Sequence, residues 1–229
     1  MPSCYRCVDG KLTCSCCKSY VVKNDFTKGR KQRYRCAVCS TSKVLEPAFT
    51  GFGKKLHAQL VSLVKEGCGI RSSGRILNVS TATVIRNILS IADAIAFPVN
   101  IPHNGTFQVD ELHTFVASKR REICVIYSWS KELKQAMSLT VGTRSKVNLR
   151  SVVTPLISAN AKNINTDRYS GYVGVIPKEI HTTVKRRNNH IERQNLNLRT
   201  HLKRLNRRTI CFSKSAAMLL AVVKIYFWG

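Results

Sequence analysis

Two sets of residues have the types and the spacing to do chemistry. The first is Cys14-Ser-Cys-Cys17 and Cys36-Ala-Val-Cys39, two Cys-x-x-Cys pairs with eighteen residues between them. Each pair offers two thiolates from a tight turn, and an intervening hairpin can fold the pairs into one tetrahedral Zn²⁺ site. Cys16 crowds the first pair, and Cys4-x-x-Cys7 is a rival pair or part of a second metal site. Reduced thiols without metal are the plain alternative. The second set is acidic. Asp110 sits among apolar neighbours in Thr106–His113, Asp167 closes Lys162–Asp167, and Glu192 lies in a basic helical stretch. Each has an ordinary explanation of its own: a turn contact for Asp110, a helix cap for Asp167, a salt bridge to Arg199 or Arg193 for Glu192. Their combination asks for more.

The 229 residues carry 38 Lys+Arg against 12 Asp+Glu, a formal net charge of +26. Such a field favours a polyanion, nucleic acid or an anionic membrane surface, and disfavours a small cationic substrate. An apolar fraction of 44% argues against disorder throughout. No run reaches the ~18 apolar residues of a membrane span. Ala216–Val223 is short, ends at Lys224, and reads as part of a core helix. The beginning of the chain does not read as a signal peptide. Seven of the ten cysteines precede residue 40, so metal binding is favoured over disulfides and an intracellular, cytoplasmic and nucleoid-associated setting is expected.

The elements that must position these residues fall into three segments. Residues 1–46 read as a zinc ribbon, with Val21, Val22 and Tyr34 in short strands around a Lys28–Lys31 turn. Its core is too small to fold without metal. Residues 50–97 read as a helix-turn-helix. Leu56, Leu60, Leu63 and Val64 mark one helix, Ser72–Leu77 a second, and Ser80 caps a third from Thr81, whose inner side carries Val84, Ile85, Ile88 and Leu89. Thr81, Thr83 and Arg86 would then face double-stranded DNA. Residues 98–105 read as a linker, with two prolines and Asn104-Gly105.

Residues 106–229 read as α/β. Strands at Thr106–His113, Glu122–Trp129 and Gln135–Val141 precede a helix at Ser145–Ser158 and a fourth strand at Lys162–Asp167. Placing the first and fourth strands side by side brings Asp110 to Asp167. Glu111 alternates to the other face of its strand and is left out of the set. A helix then runs to Leu205, with Ile191, Leu198, Leu202 and Leu205 on one face and Glu192, Arg199 and Lys203 on another. His190 is either an aid to catalysis or a structural residue at the helix start, and Asn188 and Asn189 either begin the helix or touch DNA.

At these residues the chain resembles transposases of the insertion-sequence-one family. The resemblance is carried by Val109-Asp-Glu-Leu-His-Thr-Phe115, Thr166-Asp-Arg-Tyr-Ser-Gly-Tyr172, Ile176–His181, Asn188–Arg193, Leu198–Leu205 and Arg207–Ser215. The ribbon and helix-turn-helix fit the family's DNA-binding part. His113 stands where the family usually has Trp, and Cys4 and Cys7 lie outside its single ribbon. The resemblance implies an RNase H-like catalytic domain with a DDE triad at Asp110, Asp167 and Glu192, the last two separated by twenty-four residues. It implies two catalytic Mg²⁺ ions, with Mn²⁺ as a substitute, Asp110 bridging them. Arg199 and Lys203 would hold phosphate. The implied activity is cleavage at an insertion sequence's terminal inverted repeats and strand transfer into target DNA, by a homodimer or higher oligomer and without a membrane partner. Two other readings remain: a non-catalytic zinc and helix-turn-helix DNA-binding regulator descended from a transposase, and an RNase H-like nuclease of another kind.

Overall fold

The computed structural model describes residues 5–8, 11–14, 16–26, 32–44, 50–184, 189–206 and 208–229. Two compact units divide at Lys54/Lys55.

The first unit contains a hairpin of β1 (Tyr5–Val8) and β2 (Lys11–Cys14), and an antiparallel sheet of β3 (Val21–Phe26), β4 (Gln32–Cys36) and β5 (Ser42–Val44). Val21 pairs with Cys36, so the hairpin register sets one cysteine pair against the other. Among the described residues of this unit Cys14 and Cys36 are buried, with Cys17, Val21 and Tyr34 packed on them. The Lys28–Lys31 turn and Cys4 lie outside the described residues.

The second unit takes in α1 (Thr50–Lys65) from Lys55 onward, followed by α2 (Ile70–Ile76) and α3 (Thr81–Ala94). The side chain of Ser80 accepts the amide proton of Thr83 at 3.1 Å, the expected N-cap of α3. Val84, Ile88, Ile91 and Ala92 are the buried face of α3. Ile85, expected inside, is 41% exposed, because the face rotates toward Ile91 and Ala92.

The sheet that follows holds β6 (Thr106–Val116), β7 (Ser118–Ser130), β8 (Gln135–Gly142), β9 (Asn163–Asn165) and β10 (His181–Thr182) in the order β10-β9-β6-β7-β8. β6, β7 and β8 are antiparallel neighbours, and β9 lies parallel to β6. The crossover between β8 and β9 is α4 (Lys146–Ser158). Three antiparallel strands, a crossover helix and two parallel strands on the far side of the first make this an RNase H-like sheet.

Both faces of the sheet are covered, so its strands are apolar on both sides. Phe107, Val109, Cys124 and Ile126 pack with α4. Leu112, Val116, Val125 and Tyr127 pack with α1, α3, α5 (Asn189–His201) and α6 (Ala216–Trp228). α6 is apolar nearly all round and sits inside this core, as its sequence predicts. No helix among the described residues is long and apolar enough to cross a membrane. Residues 98–105 have no regular helix or strand, but Ile101 packs on the second core and Gly105 is buried against the Phe107 ring.

Candidate active site

The parallel pairing of β6 and β9 builds the site. Thr106, Phe107 and Gln108 lie opposite Asn163, Ile164 and Asn165. Carried two residues further, that register sets Asp110 level with Asp167, at the mouth of the sheet where β9 has ended. Beyond this point β6 runs on past its short neighbour. An open cleft of about 1130 Å³ lies there, with Asp110 and Glu111 at one end and Glu192, Asn195, Arg199 and Lys203 along α5 and its continuation. The expected juxtaposition of the first and fourth strands is therefore present.

Asp110 is held by two donors. The amide of Glu111 donates to its Oδ1 at 2.8 Å, and Asn195 Nδ2 donates to its Oδ2 at 2.7 Å. Tyr127 Oη, buried beneath, donates to Asn195 Oδ1 at 2.8 Å and fixes that amide's orientation. Burial pushes the Asp110 carboxyl up to about 6. The Glu111 amide opposes the shift, while the neighbouring charges of Glu111 and Asp167 add to it. α5 is seated by Gln108, whose buried side-chain oxygen accepts the amide proton of Ile191 at 2.8 Å. One strand thus presents Asp110 and anchors the helix that presents Glu192.

Asp167 is exposed on the loop after β9. Its Oδ1 accepts the amide proton of Tyr169 at 3.0 Å, and its Oδ2 accepts from Arg144 at 3.2 Å. Asp110, Glu111 and Asp167 each bring a carboxylate oxygen within 4.8 Å of the others. Glu192 lines the same cleft from α5 but falls outside that closer group.

Glu111 does point to the opposite face from Asp110, toward Tyr172 and α4. Its length nevertheless returns the carboxylate to the strand end, where only 1% of the side chain is exposed. Arg144 pairs with it at 2.9 Å and stacks 3.4 Å from the centre of the Tyr169 ring. Alternation fixes where a side chain leaves the strand, not how far a glutamate reaches. Neither Arg144 nor Asn195 was singled out in the sequence. Asn195 had a signal, because it stands three residues after Glu192 on a neighbouring helical position. Arg144 had none, being one of many basic residues outside any motif.

The helical face expected for Glu192, Arg199 and Lys203 needs correction. α5 ends at His201, Leu202 leaves the helix, and Lys203–Leu205 form a 3-10 turn. Lys203 is thus not on the α5 face, although it lines the cleft. Arg199 Nη1 donates to the Leu205 carbonyl at 2.8 Å and ties the turn back, which keeps Leu202 and Leu205 buried as expected. His190 and Asn189 are exposed in the first turn of α5, and Asn188 lies outside the described residues. His113 is exposed and pairs with Glu122 at 2.6 Å.

The helix-turn-helix residues stand apart from this cleft. Thr81 and Arg86 are exposed on α3, while Thr83 is half-buried with its hydroxyl 2.9 Å from that of Ser80. Arg71, Arg75 and Thr81 line a concavity of about 400 Å³ at the front of α3.

In the first unit, Cys14, Cys17, Cys36 and Cys39 bring their sulfurs within 4.8 Å of one another. Cys14 and Cys39 are 3.6 Å apart, and Cys17 and Cys36 are 3.3 Å apart. Thiolates at 2.3 Å around a tetrahedral zinc stand about 3.8 Å from each other, close to these distances and far from a disulfide bond. The Ser19 amide pulls the Cys17 thiol down to about 6, so a thiolate is at hand near neutral pH. Cys16 is exposed and outside the cluster. Cys7 is on β1 and Cys4 is outside the described residues.

A family model described as IS1 transposase matches residues 106–227. Insertion element iso-IS1n protein InsB of Shigella dysenteriae is 36% identical over 108 residues, which is 47% of this chain and 82% of that protein. Insertion element IS1 protein InsB of Shigella sonnei is 30% identical over 119 residues, 52% of this chain and 91% of that protein. Among solved structures, the HTLV-2 integrase catalytic core domain in complex with magnesium aligns with a TM-score of 0.36 and 15% identity, covering 56% of this chain and 85% of that one.

Proposed function

The chain belongs to the IS1 transposase family, and from that premise we propose that it binds the terminal inverted repeats of its own insertion sequence, cleaves there, and joins the freed 3′-hydroxyls to target DNA. The observation that carries the reading is the meeting of Asp110 and Asp167 across β6 and β9 with Glu192 facing the same cleft.

In this reading Asp110, Asp167 and Glu192 hold two Mg²⁺ ions, with Mn²⁺ able to replace them. The donor set fits, since hard divalent cations take oxygen ligands, Asp110 and Asp167 bring carboxylate oxygens within 4.8 Å of each other, and Glu192 lines the cleft beside Asp110. Bound there, the ions supply a low-pKa water or hydroxyl and neutralise the developing charge on phosphorus. The protein's part is placement. Asn195 and the Glu111 amide orient the two oxygens of Asp110. Arg199 and Lys203 bind phosphate of the strand entering the cleft. Thr81, Thr83 and Arg86 read the repeat from α3, and the four-cysteine cluster holds a structural Zn²⁺ that gives the ribbon its fold. The net charge of +26 makes DNA binding strongly salt-dependent. Joining two ends requires a homodimer or a larger assembly, working on chromosomal DNA in the cytoplasm.

The test is a strand-transfer assay with repeat-bearing DNA ends, a plasmid target and Mg²⁺. Wild-type protein yields joined products; Asp110→Asn and Glu192→Gln retain end binding and lose joining by about a hundredfold or more. Full joining by either variant overturns the triad. End binding without joining by the wild type favours the regulator reading, and cleavage without joining favours a nuclease.

A further inference from the structure

A cation is already built into the acidic end of the cleft. Arg144, from the loop between β8 and α4, reaches two carboxylates with one guanidinium nitrogen: Glu111 at 2.9 Å and Asp167 at 3.2 Å. The two partners differ in kind. The Glu111 side chain is 1% exposed, whereas that of Asp167 is 46% exposed. A buried carboxylate without a counter-charge is strongly destabilising, so the Glu111 contact is the firm one. Stacking on Tyr169 fixes the plane of the guanidinium, and Tyr169 Oη donates to the Arg144 carbonyl at 3.3 Å. The contact to Asp167 lies in solvent and is exchangeable.

The surroundings support this division. Among the described residues, Glu111 Oε1, Arg144 Nε and Tyr172 Oη are buried without a hydrogen-bond partner. Burial and the nearby Glu111 carboxylate both raise the Tyr172 hydroxyl pKa, so the phenol stays a donor beside that acid. Glu111 is thus enclosed by an arginine and a phenol at the end of the cleft that Asp110 shares with Glu192.

We propose that Arg144 sorts the carboxylates of this site: it permanently neutralises Glu111, and it holds Asp167 in place until a divalent cation takes that ligand from it. Arg144 is a positioning residue, not a catalytic one. It prevents Glu111 from acting as an additional metal ligand, and competition for Asp167 keeps the cleft's metal affinity lower than its acidic side chains alone would make it. The inference rests on the metal-binding reading of Asp110 and Asp167.

The experiment is titration of the intact chain, its four-cysteine cluster loaded with Zn²⁺ and its acidic cleft free of Mg²⁺, with Mn²⁺, following binding by the loss of the free-ion paramagnetic resonance signal. Asp110→Asn tests the underlying reading: if cleft binding survives it unchanged, the metal site itself is misplaced. With Asp110 dependence established, Arg144→Met tightens Mn²⁺ binding by about tenfold, the effect of removing one positive charge a few ångströms away in a partly solvated site. Arg144→Lys, which keeps the charge, stays near wild type. Arg144→Met leaves Glu111 buried and unpaired and can fail to fold, so the same change is also made on Glu111→Gln. There Glu111→Gln alone binds Mn²⁺ more weakly than wild type, because Arg144 is left to Asp167, and adding Arg144→Met reverses the loss. Unchanged or weaker Mn²⁺ binding on removal of Arg144 in the Glu111→Gln background overturns the proposal.

Discussion

Asp110 shows most directly how a local environment serves a site at the expense of stability. Its carboxyl is pushed from 3.8 in the unfolded reference to about 6 in the folded chain, chiefly by burial. The folded state therefore binds this proton more tightly than the unfolded state does. The proton's contribution to stability is present below about pH 4 and is lost as the pH rises through about 6. The ionised carboxylate then costs the metal-free fold at most about 3 kcal/mol at neutral pH. Asp110→Asn has no proton to lose and keeps an acceptor for Asn195. In urea titrations of protein free of Mg²⁺ but with its zinc retained, Asp110→Asn is expected to be more stable than wild type at pH 7, with the difference vanishing near pH 4. Equal stability at pH 7 would show that the carboxylate carries no such strain. On the proposed metal role of Asp110, added Mg²⁺ is expected to stabilise the wild type and leave the variant unmoved.

Among the elements, the junction between α1 and α2 has the tightest demand. Gly67 has φ of +71°, and a Cβ there would lie 2.0 Å from the backbone oxygen of His201, where α5 ends. No side chain fits that approach, and the left-handed conformation adds its own penalty. Gly67→Ala is expected to destabilise the second unit by about 3 kcal/mol. At Gly69 a Cβ meets nothing within 4 Å and φ is −73°, so Gly69→Ala should be within about 1 kcal/mol of wild type. Equal losses at both positions would contradict this account. The same junction touches the place where helical periodicity misleads. Ile191, Leu198, Leu202 and Leu205 repeat as if one helix ran through them, yet the helix stops at His201. A 3-10 turn, tied by Arg199, keeps the apolar residues inside while moving Lys203 off the helical face. Burial is preserved by either backbone, so the apolar pattern cannot tell them apart.

At the scale of the whole molecule, the two units answer to different forces. Residues 55–229 have two extensive apolar cores, on either face of the sheet. The unit ending at Lys54 has a buried core of Cys14 and Cys36. A zinc chelator is therefore expected to collapse the dispersed amide resonances of residues 11–44 and leave the main thermal transition of residues 55–229 within a few degrees. Loss of both together would mean that the two units do not fold independently.

What the sequence determined by itself is whatever depends on neighbours along the chain. The Cys-x-x-Cys pairs, the Ser80 cap, the individual strands that carry Asp110 and Asp167, and the apolar α6 all follow from short spacings and alternating or helical periods. Tertiary structure decided whatever depends on distance along the chain being abolished. Asn195 meets Asp110 across 85 positions, and Arg144 meets Glu111 across 33. No period links such pairs. One more arginine among 38 basic residues acquires its meaning only when folding removes water from Glu111 and leaves Arg144 as the charge beside it. Low-dielectric burial makes that single pairing matter far more than the same two charges would in solvent.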